Sequence, residues 1–291
     1  MNSSEPSTKE VLLDVVEQAL GQSALETVEP VEIEIPNDTS MLCEKPTCIT
    51  QNPTPRNLRK GPSDIVVGLG AQCPRWVPGS VINWTAWCDG YNSREDADHA
   101  AEHLLLATNT WNTAAIGVTF KWVPDAKDAT FVLCHGGSQG NVLASAFFPN
   151  SNDLNFIYVY TYAFNKEFKK SSKLFPARHR PYQITSLSTP LSRSANTYPV
   201  WKIFLHELGH VLGLRHEFAI GDVPSSMDAE GLGGVRLDDP DEFSVMNYRQ
   251  QLPELQQSDI QSTRKFYNLR LDQEGNPPMI KTTPVVDYTP R

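Results

Sequence analysis

The stretch from His206 to His216 reads HELGHVLGLRH, and it decides how the rest of the chain is interpreted. On an α-helix, His206 and His210 lie one turn apart on the same face, so their imidazoles can meet at one point. Gly213 can adopt a positive φ, which would end the helix and turn the chain so that His216 returns toward that point. Three neutral imidazole ligands, with the fourth coordination position of the metal left open to water, are typical of a catalytic zinc site. The pattern therefore predicts one bound Zn²⁺.

Glu207 gives the motif a proton acceptor. It lies about 100° around the helix from His206, which places its carboxylate within reach of a water at the open position of the metal. As a general base it would take a proton from that water and pass it to a leaving amine, so the residues predict peptide-bond hydrolysis. The alternative is that these are ordinary helix residues. The glycine break and the third histidine, on a predicted helix that begins near Pro199, argue against that alternative.

Length and composition favour a globular enzyme and exclude other classes of protein. The 291 residues are 40% hydrophobic, enough for a sizeable core, and 22 prolines with 17 glycines indicate many irregular connections. The formal net charge of -9 disfavours nucleic acid and anionic membrane as partners. The sequence has no run of about 18 apolar residues, so no membrane span is predicted. A basic run between Lys166 and Arg180 is interpreted as a solvated face.

The chain divides into three parts by composition. Residues 1–74 are acidic and rich in Ser, Thr and Pro, which predicts a poorly packed extension that could be a removable pro-segment. Residues 75–271 form the expected catalytic domain. Residues 272–291 contain four prolines and predict an extended or unstructured tail. One amphipathic helix is predicted in the extension, near 11–20, with an apolar face made of Leu12, Val15, Val16 and Ala19.

The catalytic segment alternates predicted strands and helices, which indicates a sheet with helical crossovers. Ser93 is predicted to cap the first helix, and Ser258 is predicted to cap the last helix, which runs to about Asn268. A loop rich in glycine and proline covers 221–241. The predicted strands are 81–87, 118–123, 130–134, 143–148 and 156–162.

The motif HELGHVLGLRHE and the later sequence SVMNY at 244–248 resemble the metzincin clan of zinc peptidases, and astacin-like members in particular. The resemblance covers about Arg75 to Leu271, since RWVPGSVINW resembles the opening strand of such domains and SDIQSTRKFYNL resembles their closing helix. It implies an α+β, zincin-like fold. In that fold, a twisted, mostly parallel five-stranded sheet is backed by two long helices and lies above a smaller, irregular lower subdomain.

The same resemblance implies roles for two residues after the histidines. Met246 would form a Met-turn, an apolar floor beneath the zinc ligands in which the thioether packs without coordinating. Tyr248 would lie near the zinc, as a further ligand or as a donor to the transition-state oxyanion. The implied activity is that of a metalloendopeptidase acting on extended polypeptides, and we expect a monomer. Relatives are usually secreted, but the first twenty residues do not read as a secretory signal, so the compartment stays open.

A non-enzymatic interpretation stays open beside the enzyme. The chain could be a catalytically silent, zincin-like module that keeps the fold and the metal and binds a protein partner through its surface. Loss of the general base is the readiest route to such a module. Because Glu207 is present together with all three histidines, the sequence favours the enzyme.

Other histidines carry weaker signals. His99 and His103 are also one turn apart, but charged residues flank them and no third histidine follows a glycine break. A solvent-facing helix is therefore predicted there rather than a second metal site. His135 and His179 are interpreted as isolated surface or hydrogen-bonded residues.

Five cysteines allow two disulfides with one thiol left over. Cys88 and Cys134 end neighbouring predicted strands, and either a disulfide or simple adjacency is open. Cys73 could supply a thiolate to the zinc and hold the enzyme latent, as in matrixin-like relatives, although GAQCPRW does not match their switch sequence. The alternative is that Cys73 is a loop cysteine or pairs with Cys43 or Cys48.

Overall fold

The structure, a computed structural model, describes residues 7–35, 71–140, 142–164, 200–220, 234–239, 241, 243–247 and 254–291, together with the backbone of 47–50. The helices in these ranges are α1 (Thr8–Leu20), α2 (Arg94–Thr113), α3 (Val200–Val211) and α4 (Gln257–Asn268). The strands are β1 (Thr47–Thr50), β2 (Cys73–Trp76), β3 (Val81–Ala86), β4 (Thr119–Trp122), β5 (Phe131–His135), β6 (Val142–Ala146), β7 (Asn155–Val159), β8 (Met279–Ile280) and β9 (Thr283–Tyr288). None of the described helices is long and apolar enough to cross a bilayer.

Six of the described strands form the central sheet, in the order β1-β6-β7-β5-β3-β4. Neighbouring strands run parallel except β6 and β7, which are antiparallel. The prediction of an α+β fold with a mostly parallel sheet is confirmed. The sheet exceeds the expected five strands because β1 pairs in parallel along the outer edge of β6. An edge strand presents unpaired backbone groups, and here β1 uses those of β6.

Helix α2 packs against α3 and buries a face made largely of small residues. Ser93 caps the helix as expected, since its hydroxyl accepts the backbone N–H of Asp96 at 3.2 Å. The short alanine side chains let α2 approach its neighbours closely, and one large aromatic residue completes the face. The main apolar residues of this buried face are Ala97, Ala100, Ala101, Leu104, Ala107 and Trp111.

Helix α4 begins earlier than predicted. Gln256, not Ser258, occupies the N-cap position, and its N–H donates to the carboxylate of Asp259 at 2.8 Å. Ser258 instead lies in the first turn and donates its hydroxyl to Asp241. The acidic residue in the first turn satisfies a free backbone donor of the helix terminus, so the cap does not need a serine. The predicted end at Asn268 is confirmed.

The N-terminal extension packs on the body of the protein more than the sequence predicted. The helix near 11–20 is present as α1, but its apolar face is only partly as predicted: Leu12 is 36% and Val15 is 55% exposed. The helix is oriented by Lys9, whose ammonium group donates to the carbonyls of Ala129 at 2.7 Å and Lys127 at 3.2 Å. With this anchor, Leu13 packs against the core together with Val16, the member of the predicted face that does turn inward.

The C-terminal tail is a strand and not the free arm that its prolines suggested. Strand β9 runs parallel to β2, with Val285 opposite Cys73, and it forms a short antiparallel pair with β8. Arg75 of β2 is 2% exposed, and its guanidinium bonds to the Asp287 carboxylate at 2.6 Å and to the Leu269 carbonyl at 3.1 Å. This buried arginine joins the tail to the C-terminal end of α4.

The disulfide between Cys88 and Cys134 is absent, and both residues are free thiols. The register explains why this hypothesis is wrong. Ala86 of β3 lies opposite Leu133 of β5, so the two cysteines are one residue out of step along neighbouring strands. Side chains alternate between the faces of a sheet, and residues out of step by one point to opposite faces.

The switch hypothesis for Cys73 is also wrong in this arrangement of the chain. Cys73 is a free thiol with 0% exposure in β2, where it lies opposite Val285. Burial raises the pKa of its thiol to about 12, and its pairing position inside β2 holds it as a residue of the strand. The side chains of Cys43 and Cys48 lie outside the described residues.

Candidate metal centre

Helix α3 is buried on nearly all sides, and this explains why its sequence is apolar outside the motif. His206, Glu207 and His210 are 3%, 0% and 0% exposed. Because His206 and His210 are one turn apart, their ring centroids lie 4.9 Å apart, with the rings at 89° to each other. The helix therefore places two imidazoles side by side in the interior of the protein.

Gly213 ends the helical part of the motif as the sequence predicted. Its φ is +91°, and a Cβ built at this position would lie 2.3 Å from the carbonyl oxygen of Pro74. The backbone N–H of Leu214 then closes the helix on the carbonyl of Gly209 at 2.9 Å. A side chain at position 213 would meet both a strained backbone and the neighbouring strand, so only glycine fits.

The turn at Gly213 brings His216 back to the helical pair. Its ring centroid lies 5.1 Å from that of His206 and 4.8 Å from that of His210. Within the described residues, these three form the group of potential metal ligands, with ligand atoms all within 4.8 Å of one another. The predicted triad is thus assembled by one helix and one glycine turn.

The geometry of the triad fits a zinc ion. The Nε2 atoms of His206 and His216 are 3.1 Å apart. Two nitrogens bound to one tetrahedral zinc at the usual distance would be about 3.3 Å apart. Nδ1 of His206 bonds to the Val245 carbonyl at 2.7 Å, and Nδ1 of His210 bonds to the Leu214 carbonyl at 2.8 Å. A carbonyl only accepts, so Nδ1 carries the proton and Nε2 keeps the lone pair that a metal needs.

Burial keeps these imidazoles in the neutral form. It lowers the pKa of His206 to about 3, with a smaller contribution from the neighbouring His216. The pKa of His210 is lowered well below its usual value for the same two reasons. Aromatic rings enclose the group: Phe218 stacks on His216 at 4.9 Å, and Phe148 meets His210 edge to face at 5.5 Å. Neutral histidines in a closed, apolar surrounding are prepared to bind a cation.

Met246 lies under the helix, as the resemblance implied. It is 2% exposed, and a Cβ built on Gly209 would lie 2.3 Å from its sulfur atom. Gly209 is therefore a contact point between the Met-turn and the helix, one residue before His210. The sequence itself carries a signal for this contact. A glycine inside a helix costs about 1 kcal/mol relative to alanine, so it often marks a close approach.

The Met-turn is held by a residue that sequence reasoning missed. Asp259 of α4 is 7% exposed and accepts the hydroxyl of Ser244 at 2.6 Å and the backbone N–H of Val245 at 2.9 Å. The same Val245 provides the carbonyl that accepts from His206. An acidic residue in the first turn of a helix is common, so the sequence alone gives Asp259 no special signal.

The structure describes one of the two predicted catalytic residues. Glu207 is fully buried next to His206 on α3. Tyr248 lies outside the described residues, as does most of the predicted loop 221–241. His179 and the basic run between Lys166 and Arg180 also lie outside them.

The prediction of a solvent-facing helix around the second histidine pair is wrong. His103 is 5% exposed, and its Nδ1 accepts the backbone N–H of Trp201 in α3 at 3.1 Å. The ring of His99 lies 3.9 Å from that of His103. His103 faces inward because α2 packs on α3 along this side. His135 is hydrogen-bonded as predicted, accepting the N–H of Gly137 at 3.3 Å.

The comparison with family models decides the classification. Residues 98–268 match the model of the family described as matrixin, and this range runs from α2 to the last residue of α4. It is more than half of the chain. The chain belongs to the matrixin family. This matrixin is therefore a zinc metalloendopeptidase of the metzincin type, and the metzincin resemblance drawn from the sequence is confirmed.

Two further comparisons accompany the match of this matrixin to its family model. A solved structure of high choriolytic enzyme 1, a hatching enzyme zinc-protease from the medaka fish Oryzias latipes, is similar over 67% of this chain and 95% of that chain. The identity is 14% and the TM-score is 0.41. No curated protein matches the sequence.

Proposed function

We propose that this matrixin hydrolyses internal peptide bonds of extended polypeptides, with one zinc ion and with Glu207 as the general base. The observation that carries the proposal is the convergence of three buried imidazoles beside Glu207, with the distal nitrogens of two of them bonded to backbone carbonyls. This arrangement leaves the metal-binding nitrogens unprotonated and fixed in direction.

His206, His210 and His216 would hold the zinc through Nε2. When bound, the ion would polarise the scissile carbonyl and lower the pKa of a water at its open position. The chain itself supplies the rigidity: α3 carries two of the histidines, and the turn at Gly213 carries the third.

Glu207 moves the proton. Its carboxylate accepts a proton from the attacking water and then delivers it to the nitrogen of the leaving amine. Full burial suits this role because a carboxylate shielded from bulk water interacts more strongly with the few groups it meets. Tyr248 donates to the oxyanion or serves as a further ligand, as its place two residues after Met246 suggests.

The three-part division of the chain belongs to the same proposal. Residues 75–271 are the catalytic domain, 272–291 are the tail that packs on it through β9, and 1–74 restrain activity until removed. Support for the restraint comes from β1, which occupies the outer edge of β6. Strand β6 leads to Phe148, whose ring contacts His210. An open edge at that position would accept an extended polypeptide by strand addition.

The test is cleavage of casein or quenched fluorescent peptides by the purified protein, as the full chain and without residues 1–70. Cleavage that is lost with a chelator, recovered with zinc and absent in Glu207→Gln supports the peptidase. Metal binding at one zinc per chain with no cleavage by either form would favour the catalytically silent binding module. Sedimentation of the same samples tests the expected monomer.

A further inference from the structure

Two side chains of α2 bond to the backbone of the active-site helix. Nδ1 of His103 accepts the N–H of Trp201 at 3.1 Å. About two turns farther along α2, Nε1 of Trp111 donates to the carbonyl of Leu205 at 3.1 Å. Leu205 directly precedes the first histidine of the motif. The two bonds thus reach α3 near its start and just before the metal-binding residues.

The bond to His103 satisfies a backbone N–H that has no partner within α3. Trp201 is in the first turn of α3, where backbone N–H groups have no partner within the helix and need an outside acceptor. His103 provides it from the interior, and burial lowers its pKa to about 3, so Nδ1 keeps a lone pair at neutral pH. The ring of His99, another titratable group, lies 3.9 Å from that of His103 at an angle of 45°.

The bond from Trp111 is additional to the helix's own bonds. In an α-helix, the carbonyl of Leu205 already faces the N–H of the residue four positions later, so a further donor is not needed for its satisfaction. Trp111 is 0% exposed and its ring is fixed by the core. A donor at a fixed position that bonds to a satisfied carbonyl restricts where the helix can lie. It restricts both sliding along the axis and rotation about it.

We propose that His103 and Trp111 are positioning residues that fix α3 against α2 and so hold His206 and Glu207 in register with the Met-turn. The effect on peptide turnover rests on the proposed function. The effect on metal binding does not, because metal affinity depends on where the three imidazoles are held and can be measured without any turnover. A displacement of a catalytic group by about 1 Å can cost on the order of 100-fold in rate.

The test uses substitutions that remove one bond, with a control that reproduces the accompanying loss of volume. Trp111→Phe removes the Nε1 donor, and His103→Leu removes the acceptor. His103→Asn keeps an acceptor oxygen close to the position of Nδ1 and is the rescue variant. Trp84→Phe is the matched control: Trp84 is also 0% exposed, and its Nε1 has no hydrogen-bond partner among the described residues. The loss of ring volume is therefore the same, without the loss of a bond.

The measurements are the zinc dissociation constant by chelator competition, the visible spectrum of the cobalt-substituted protein, and kcat and KM. We expect Trp111→Phe and His103→Leu to weaken metal binding and to lower kcat by roughly 10-fold each, with an altered cobalt spectrum. KM should change less than kcat. His103→Asn and Trp84→Phe should keep the wild-type spectrum and affinity.

Three results would overturn the proposal. One is an unchanged metal affinity and cobalt spectrum in Trp111→Phe. Another is an equal loss in Trp84→Phe, which would show that packing volume alone matters. The third is a failure of His103→Asn to recover what His103→Leu loses.

If the wild type shows no cleavage, the proposed peptidase function fails, while the metal affinity and the cobalt spectrum still decide the positioning role. If His103→Leu does not fold, Trp111→Phe with its control decides.

Discussion

The carboxylate of Asp259 accepts the backbone N–H of Val245 at 2.9 Å, and this one contact ties the first turn of α4 to the Met-turn. The carbonyl of Val245 in turn accepts the Nδ1 proton of His206 at 2.7 Å. A continuous path therefore runs from a buried carboxylate, through one residue of backbone, to a proposed zinc ligand. Partners that orient a metal ligand in this way set its tautomer and its direction.

Asp259→Asn tests this path. An asparagine keeps one acceptor oxygen but replaces the other by a donor, so the bonds from Ser244 and Val245 cannot both remain. We expect the free energy of unfolding to fall by about 2 kcal/mol and the zinc affinity to fall by about 10-fold. Chemical denaturation and chelator competition measure the two effects.

The control for that substitution is Asp272→Asn. Asp272 also accepts backbone N–H groups, from Glu274 at 2.9 Å and Asn276 at 2.8 Å, but in an exposed turn after α4. It should leave the zinc affinity unchanged. A loss of stability in Asp259→Asn with normal zinc affinity would contradict the orienting role and leave only a structural one.

Gly209→Ala should destabilise the protein although alanine is the better helix former. Alanine gains about 1 kcal/mol from helix propensity, but its Cβ would lie 2.3 Å from the sulfur of Met246. Met246 is 2% exposed, so its thioether has little room to move aside, and overpacking of this kind costs about 1–3 kcal/mol; we therefore expect a net loss of up to about 2 kcal/mol in the free energy of unfolding. Thermal and denaturant unfolding of the metal-free protein measure it.

The rescue variant for this prediction is Gly209→Ala combined with Met246→Val, which shortens the side chain below the helix. If the clash is the cause, the double variant should be more stable than the sum of the single changes predicts. Strict additivity would show that Met246 and position 209 do not interact as the structure indicates.

The local part of the site could be predicted from the sequence, and the distant part could not. The spacing of His206, His210 and Gly213 is governed by helix geometry and by the backbone freedom of glycine, which act within a few residues. Asp259 and His103 depend on which helix faces which, and that is settled only when the whole core packs. His103 is a polar residue on a predicted helix with many charged residues, so the sequence predicted that it would face solvent.

The structure of the two ends of the chain also depends on distant contacts that the sequence does not show. Composition predicted that 1–74 and 272–291 would pack poorly, because the first is acidic and rich in Ser, Thr and Pro and the second contains four prolines. Backbone pairing is insensitive to composition, however, and β9 needs only the free edge of β2. In α1, the orientation is decided by Lys9, a charged residue that periodicity assigns to the surface but whose ammonium group meets two carbonyls.

The buried His103 should make stability depend on pH. Its pKa is about 3 in the folded protein against an ordinary 6.5, so between these values the unfolded chain binds the proton and the folded chain does not. The free energy of unfolding should therefore fall as the pH falls below 6.5, by about 1.4 kcal/mol per pH unit for this group, and should be unaffected above it.

Urea unfolding at pH 7 and pH 5.5 measures this effect in the wild type and in His103→Asn. The loss on acidification should be about 1 kcal/mol smaller in the variant. Comparing the two proteins cancels the contribution of the other histidines, which both share. An equal loss in both would mean that His103 is not held neutral in the fold.

Release of β1 from the sheet edge should raise peptidase activity without any cut in the chain. Proline at both Cys48 and Ile49 removes whichever of the two N–H groups faces β6, since successive residues of a strand point their backbone groups to opposite sides. A tethered strand competes with substrate at a high effective concentration, so we expect kcat/KM for a peptide substrate to rise roughly 10-fold, mainly through KM.

The matched control is alanine at both positions, which keeps the backbone donors and should stay at the wild-type value. A form without residues 1–70 should be at least as active as the double proline variant. If that form is active and the proline variant equals wild type, the restraint lies elsewhere in the extension and not in the pairing of β1 with β6.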